Sequence, residues 1–230
     1  MSNRYIFLYA SAMVIIVALV LSGAATLLRP LQERNMRIEK MQNILSTINI
    51  PAPRGEAEEL FDRYIIETKI VNYQGEEVEG DAFEVDLQDE NRKDPSERDL
   101  PVFIAEVDGE NYYIMPVRGG GLWGPIWGYI SLESDLATIY GANFDHASET
   151  PGLGAEIADR EFEEQFRGKR IFDEDSNFRS VRVVKGRAPE DDPHAVDGIS
   201  GGTITSNGVQ RMLRDGLGIY EPYFKKIRTS

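Results

Sequence analysis

Thr203, Thr205 and Ser206 close the stretch Asp197-Gly-Ile-Ser-Gly-Gly-Thr-Ile-Thr-Ser206, in which hydroxyl side chains crowd beside glycines. Gly201 and Gly202 let the backbone take conformations closed to other residues, so a bulky group can approach the main chain there. Beyond them Val209, Met212, Leu213 and Leu217 recur at helical spacing, and Ser206 is placed to cap a helix beginning at Asn207. The stretch then ends at a helix N-terminus, where free N–H groups and the macrodipole favour a phosphate. By residue type alone, the same run also describes an ordinary capped turn.

A second stretch with the same flavour is His146-Ala-Ser-Glu-Thr-Pro-Gly-Leu-Gly154. Its Pro-Gly pair predicts a type II turn, followed by a helix over Ala155 to Phe166. The two stretches together resemble two signatures of the C subunit of the Na+-translocating NADH:quinone oxidoreductase, and of the related G subunit of Rnf complexes. The first signature is Asp, two residues, Ser or Thr, Gly, Ala, Thr. Asp197, Ser200, Gly201 and Thr203 meet it, with Gly202 where the family usually has Ala. Glu149 through Gly154 match the second, Glu-Thr-Pro-Gly-Leu-Gly, at every position.

The resemblance implies covalent FMN, its phosphate joined to Thr203 as a phosphoester by a separate flavin transferase, with Thr205 as the fallback acceptor. It also implies that Thr150 and Leu153 touch the isoalloxazine or ribityl group and that Gly152 allows close approach. Ser200, Gly201, Gly202 and Ser206 complete the expected cofactor site. Lys185, at the end of an expected strand over Phe178 to Val184, is a further candidate, placed to stabilise anionic flavin or its phosphate.

Other chemistry is excluded or unsupported. The chain has no cysteine, so it holds neither a disulfide framework nor a Cys-ligated zinc or iron–sulfur centre. Its two histidines, His146 and His194, are too isolated for a metal site of their own. Gly119-Gly-Gly-Leu-Trp-Gly124 spells a dinucleotide fingerprint, but Pro125 and the strand-like Ile126 to Leu132 follow where a helix is required. A tight bend is expected there instead, with Trp123 and Trp127 split between core and rim. No Ser/His/Asp arrangement or acid–base pair stands out, so the chain reads as a redox carrier whose organic chemistry belongs to its cofactor.

The elements that must position these residues are expected as follows. Tyr5 to Leu28 carries no charge, longer than the ~20 apolar residues that cross a bilayer, and reads as an uncleaved anchor, the competing reading being a signal peptide cleaved near Ser22-Gly-Ala-Ala25. Arg29 to Leu45 continues the helical pattern beyond Pro30 as a stalk or docking helix, and Ile50 to Gly55 breaks it. A short helix over Leu60 to Tyr64 and a strand over Tyr64 to Tyr73 follow, closed by a turn at Gln74-Gly75. Asp81 to Asp99 is charge-rich and expected to be a surface excursion. Val102 to Val107, Asp108-Gly109 and Tyr112 to Val117 spell a hairpin. Leu136 to Tyr140 fits helix or strand equally, and Gly216, Gly218 and Pro222 are expected to break the C-terminal helix, with Tyr220 to Ile227 packing on the domain or on a partner.

The expected class is therefore α+β, with one N-terminal transmembrane helix and a single FMN-binding domain of antiparallel hairpins and flanking helices. Residues 1–30 form the anchor, 31–55 the stalk and linker, and 56–230 the domain. A net charge of −14, with 39 acidic against 25 basic residues, argues against a nucleic-acid partner. Arg29, Arg34, Arg37 and Lys40 outnumber Arg4 and the amino terminus, which would put the domain inside, whereas the resemblance puts it in the periplasm. The resemblance further implies partner subunits of a Na+-pumping complex of the inner membrane, with electrons arriving from NADH through other carriers and leaving toward quinone. Two alternatives are an Rnf G subunit and, in another class, a membrane-anchored structural or binding protein without flavin.

Overall fold

The computed structural model describes residues 3–228; Met1, Ser2, Thr229 and Ser230, at the ends of the expected anchor and domain, lie outside them. It separates into two compact units, Met1–Met41 and Gln42–Ser230. Helix α1 (Asn3–Thr47), whose residues up to Met41 belong to the first unit, begins at the first described residue and passes through Pro30 without interruption. A proline there removes one helical hydrogen bond at a cost of ~3 kcal/mol. Among the described residues α1 is the one helix long and apolar enough to cross a membrane, and its large apolar side chains from Tyr5 to Leu28 are exposed. The expected continuation of the helix past Pro30 is met.

In the second unit the end of α1 is followed by α2 (Ala57–Tyr64) and strands β1 (Ile65–Val71) and β2 (Glu77–Val78). A helical turn, α3 (Leu87–Glu90), precedes β3 (Leu100–Val107), β4 (Glu110–Gly120), β5 (Pro125–Leu132) and β6 (Ile139–His146). These six strands form one antiparallel sheet in the order β2-β1-β3-β4-β5-β6. The β3–β4 hairpin closes as the sequence predicts, with Asp108 and Gly109 both left-handed, at φ 54° and 83°. The glycine-rich bend joins β4 to β5, fastened by Gly121 N–H on the Gly124 carbonyl at 2.8 Å.

Strand side chains alternate between faces, and here both faces are covered. Leu100, Val102 and Ile104, with Met115, Val117, Ile126, Ile130 and Leu132, point into the main core. On the alternate positions Phe103 meets Phe61 of α2 and Phe83, the three rings 5.6 to 6.3 Å apart edge-on. Ser131 donates to the Thr47 carbonyl at 2.8 Å, beside the buried Ile44, Leu45 and Ile48. The charge-rich 81–99 segment is thus more than an excursion, since it seats Phe83 in this aromatic cluster and buries Ala82 and Glu90.

The remaining elements are α4 (Arg160–Glu164), a parallel pair β7 (Arg182–Val184) and β8 (Ala195–Asp197), α5 (Thr203–Gly218) and α6 (Glu221–Arg228). Helix α5 lies on β4 at glycine-limited distance. A Cβ on Gly119 would come within 2.8 Å of Met212 Cβ, and one on Gly208 within 2.5 Å of the Gly120 carbonyl oxygen. Alanine at 208 gains about 1 kcal/mol of helix propensity, but a contact with rigid backbone forces a shift costing about 1–3 kcal/mol. Gly208→Ala is expected to lower the thermal midpoint, as read by circular dichroism, and an unchanged or raised midpoint would refute the close seating.

Several local expectations need correction. The helix expected over Ala155 to Phe166 is a 3-10 turn, Gly154–Ala158, then α4, separated by extended Asp159. Ile157 and Phe162 are both buried, and their spacing of five does not fit one face of a continuous helix. The strand expected from Phe178 shrinks to Arg182–Val184, because Ser180 takes a left-handed φ of 59°. Leu136 sits in a turn, with Asp135 accepting from the N–H groups of Ala137 and Thr138, and the strand starts at Ile139. Gly216 does not break α5 but faces Val117, and Pro222 lies in the first turn of α6, where a missing N–H costs little. Tyr220, Tyr223 and Phe224 pack back into the core.

Candidate functional site

Glu149 joins the two motif stretches. It is 5% exposed and accepts the Thr205 hydroxyl on Oε2 at 2.6 Å and the Trp123 backbone N–H on Oε1 at 2.8 Å. Its own N–H donates to His146 Nδ1 at 3.3 Å. Burial opposes its ionisation, yet the Thr205 hydroxyl and the N–H groups of Trp123, Leu122 and Gly124 outweigh that and hold the carboxyl below its usual range. Glycine is required around it: a Cβ on Gly154 would reach within 2.4 Å of Glu149 Oε2 and 2.5 Å of Thr205 Oγ1, and one on Gly121 within 2.5 Å of Oε1. One carboxylate thus fixes the β4–β5 bend, the 149–154 turn and the first turn of α5.

The start of α5 is where the sequence reading is most revised. The helix begins at Thr203, with Gly202 as its N-cap residue, not at Asn207 behind Ser206. Ser206 is buried, and its hydroxyl accepts the Ile199 N–H at 3.0 Å, tying the preceding loop down. Thr205 is 1% exposed and occupied by Glu149. Thr203 is exposed, and among the described residues no hydrogen bond holds its hydroxyl. The N–H groups of Thr203, Ile204 and Thr205 have no helical partner, as in any first turn. Thr203 Oγ1 is therefore an accessible hydroxyl at a helix end suited to a phosphate.

Around it, Gly201 takes φ 74°, and a Cβ there would strike Leu153 Cδ2 at 2.5 Å. Leu153 thus lies against the glycines of the other motif. A Cβ on Gly202, the position where Ala is usual, would come within 2.8 Å of Ile199 Cγ2. Gly152, at φ 75°, makes the expected type II turn, with Leu153 N–H on the Thr150 carbonyl at 3.1 Å. Thr150 and Ser200 are exposed. Lys185 is exposed, and it directly follows Val184, whose carbonyl accepts the Gly198 N–H at 2.7 Å. Asp197 clamps the loop, accepting the Ala188 N–H at 2.7 Å.

Four apolar side chains belonging to these segments are left in solvent: Leu122 and Trp123 in the bend, Leu153 in the turn and Ile204 in the first turn of α5. Trp127 is half-buried under the Arg118 guanidinium, 5.7 Å from its ring, so neither tryptophan reaches the core. Sequence reasoning missed Glu149 as the organiser, although it heads the six-residue match. It also passed over Leu122 and Ile204, for which the adjacent glycine bend and motif were the available signals.

These segments fall within the part of the chain, residues 121–218, that matches the FMN-binding domain family. The C subunit of the Na(+)-translocating NADH-quinone reductase of Yersinia pestis is 34% identical over 237 residues, covering 93% of this chain and 89% of that relative. The chain belongs to this C-subunit family. Among solved structures, the family member from Parabacteroides distasonis is 48% identical with a TM-score of 0.80, covering 86% of this chain and 96% of that one. NqrC from Shewanella oneidensis is 28% identical with a TM-score of 0.73, covering 84% and 98%. The expected class of an N-terminal apolar helix with an antiparallel domain and flanking helices is thereby met. Members of the family are parts of a redox enzyme complex, and the residues gathered here fit a flavin phosphate: an exposed, unbonded hydroxyl at a helix N-terminus beside glycines and an exposed apolar rim.

Proposed function

We propose that this chain is the membrane-anchored FMN carrier of a Na+-pumping NADH–quinone reductase, with FMN joined through its phosphate to Thr203. Support comes chiefly from one observation: Thr203 Oγ1 is exposed and unbonded at the α5 N-terminus, whereas Thr205 Oγ1 is buried on Glu149. Bound there, FMN supplies transfer of single electrons between partner subunits. The first-turn N–H groups of α5 and the Gly201–Gly202 backbone hold the phosphate. Leu122, Trp123, Leu153 and Ile204 would offer the ring exposed apolar contact, with Thr150, Gly152 and Ser200 in the same segments. Lys185 places a cation at the same end of β7. A tether keeps the cofactor at high effective concentration beside its partners without a closed pocket.

In this reading residues 1–30 anchor the chain in the inner membrane, 31–55 form the stalk, and 56–230 form the domain, which faces the periplasm. A flavin transferase makes the phosphoester on the exposed Thr203. Electrons come from carriers in other subunits and continue toward quinone. The test is a denaturing gel of the chain purified from a host that also makes the flavin transferase. A band fluorescing under ultraviolet light is expected, because a covalent flavin survives unfolding. A dark band of correctly sized protein would favour an anchored binding protein without flavin.

A further inference from the structure

Glu163 links helix α4 to the edge strand β6 in a way the flavin reading does not use. Its Oε1 accepts the Phe144 backbone N–H at 2.7 Å and Asn143 Nδ2 at 3.3 Å. The other end of that amide, Asn143 Oδ1, is buried without a partner. A carboxylate has no proton to give that oxygen, and an unpaired buried acceptor is costly. A carboxylic acid does have one: a primary amide and an acid pair through two hydrogen bonds, amide N–H to acid carbonyl and acid O–H to amide carbonyl. The orphaned Oδ1 is the acceptor such a pair requires.

The surroundings favour the acid form. Glu163 is half-buried in a groove of about 720 Å³ walled by residues 42–52, β6 and α4. The 42–52 wall carries no ionisable side chain. Burial above all, with Asp159 before α4 and Asp145 on β6 adding to it, pushes the carboxyl up to about 7 against the opposing pull of the Phe144 N–H. The nearby cations are engaged elsewhere: Arg160 pairs with Glu164 at 2.6 Å, and Arg167 lies over the Tyr140 ring at 5.2 Å.

We propose that Glu163 and Asn143 form a proton-binding latch that fastens α4 to β6 and so clamps the segment 147–158 strung between them. That segment carries Glu149, Thr150 and Leu153, so the latch sets how firmly the site's turn is held. The inference stands on the hydrogen-bond geometry and is independent of whether FMN occupies Thr203. Its direction follows from the raised pKa. The latch is complete below 4.5, the value of an unperturbed glutamate, and is lost as pH climbs through about 7.

The experiment uses the full chain in detergent micelles. Infrared titration of the wild type should show a protonated carboxyl band disappearing with a midpoint near 7, and Glu163→Gln should lack it. Hydrogen exchange over 144–158, corrected for the intrinsic pH dependence, should lose protection by up to about tenfold per pH unit between 4.5 and about 7 in the wild type and level off above. Glu163→Gln should stay protected throughout, because its amide both accepts from Phe144 N–H and donates to Asn143 Oδ1. Glu163→Ala should be unprotected at every pH. A Glu163 already ionised well below the midpoint, or a Glu163→Gln exchange profile as pH-dependent as the wild type, would overturn the latch.

Discussion

Replacing Glu149 by alanine is expected to loosen the whole site, lowering stability by about 2–5 kcal/mol. The substitution strands the buried Thr205 hydroxyl and the part-buried Trp123 N–H, at up to about 1–3 kcal/mol each when left unsatisfied. For a domain of this size that is a fall of about 5–15 °C in thermal midpoint. Glu149→Gln keeps the shape and one good acceptor, and the Thr205 hydroxyl can rotate to accept from the new amide, so about half of the loss should be recovered. Glu149→Ala and Thr205→Ala share one hydrogen bond and should be clearly non-additive in a double-mutant cycle. Because the folded-state pKa of Glu149 lies below 4.5, its contribution is present above that pH and disappears as pH falls through the depressed value. The advantage of wild type over Glu149→Gln should therefore shrink in acid. Additive mutants, or a gap independent of acid pH, would remove Glu149 from its central place.

The sequence made legible whatever short-range rules decide. Asp108-Gly109 demands a left-handed hairpin turn, Pro151-Gly152 a type II turn, and the uncharged Tyr5 to Leu28 run a long apolar helix; each is found. What escaped depends on contacts distant in sequence. Ser206 satisfies every local rule for an N-cap, yet its hydroxyl serves the Ile199 N–H, and the helix starts four residues earlier than expected. Phe83 looked like part of a solvated loop because Phe61 and Phe103, which shelter it, lie elsewhere in the chain. The motif's register names Thr203 as acceptor with Thr205 as fallback, but spacing did not reveal that the Thr205 hydroxyl is held by a carboxylate 56 residues away.

Thr203→Ala is expected to abolish flavin attachment while leaving the fold nearly intact. Thr203 is exposed at the first position of α5, and surface changes of this kind usually move stability by no more than about 0.5 kcal/mol. Alanine is also the better helix former, which offsets part of any loss. Thr205→Ala should do the reverse. It removes one donor from the buried Glu149 carboxylate, costing about 1–3 kcal/mol, but leaves the Thr203 acceptor in place, so the flavin should remain. The contrast separates attachment from architecture, since one variant loses its cofactor without unfolding and the other weakens without losing it. Gly202→Ala, which restores the residue usual in the signature, requires Ile199 to give way, its Cγ2 at 2.8 Å and Cβ at 3.1 Å from the new methyl, and it should also retain the flavin.

Intact-protein mass spectrometry of the wild-type chain and of Thr203→Ala, each made alongside the flavin transferase and denatured before measurement, decides whether Thr203 carries the flavin. The expected result is an FMN-sized increment on the wild type and the unmodified mass for Thr203→Ala; an increment persisting on Thr203→Ala would contradict the assignment of Thr203 as the acceptor.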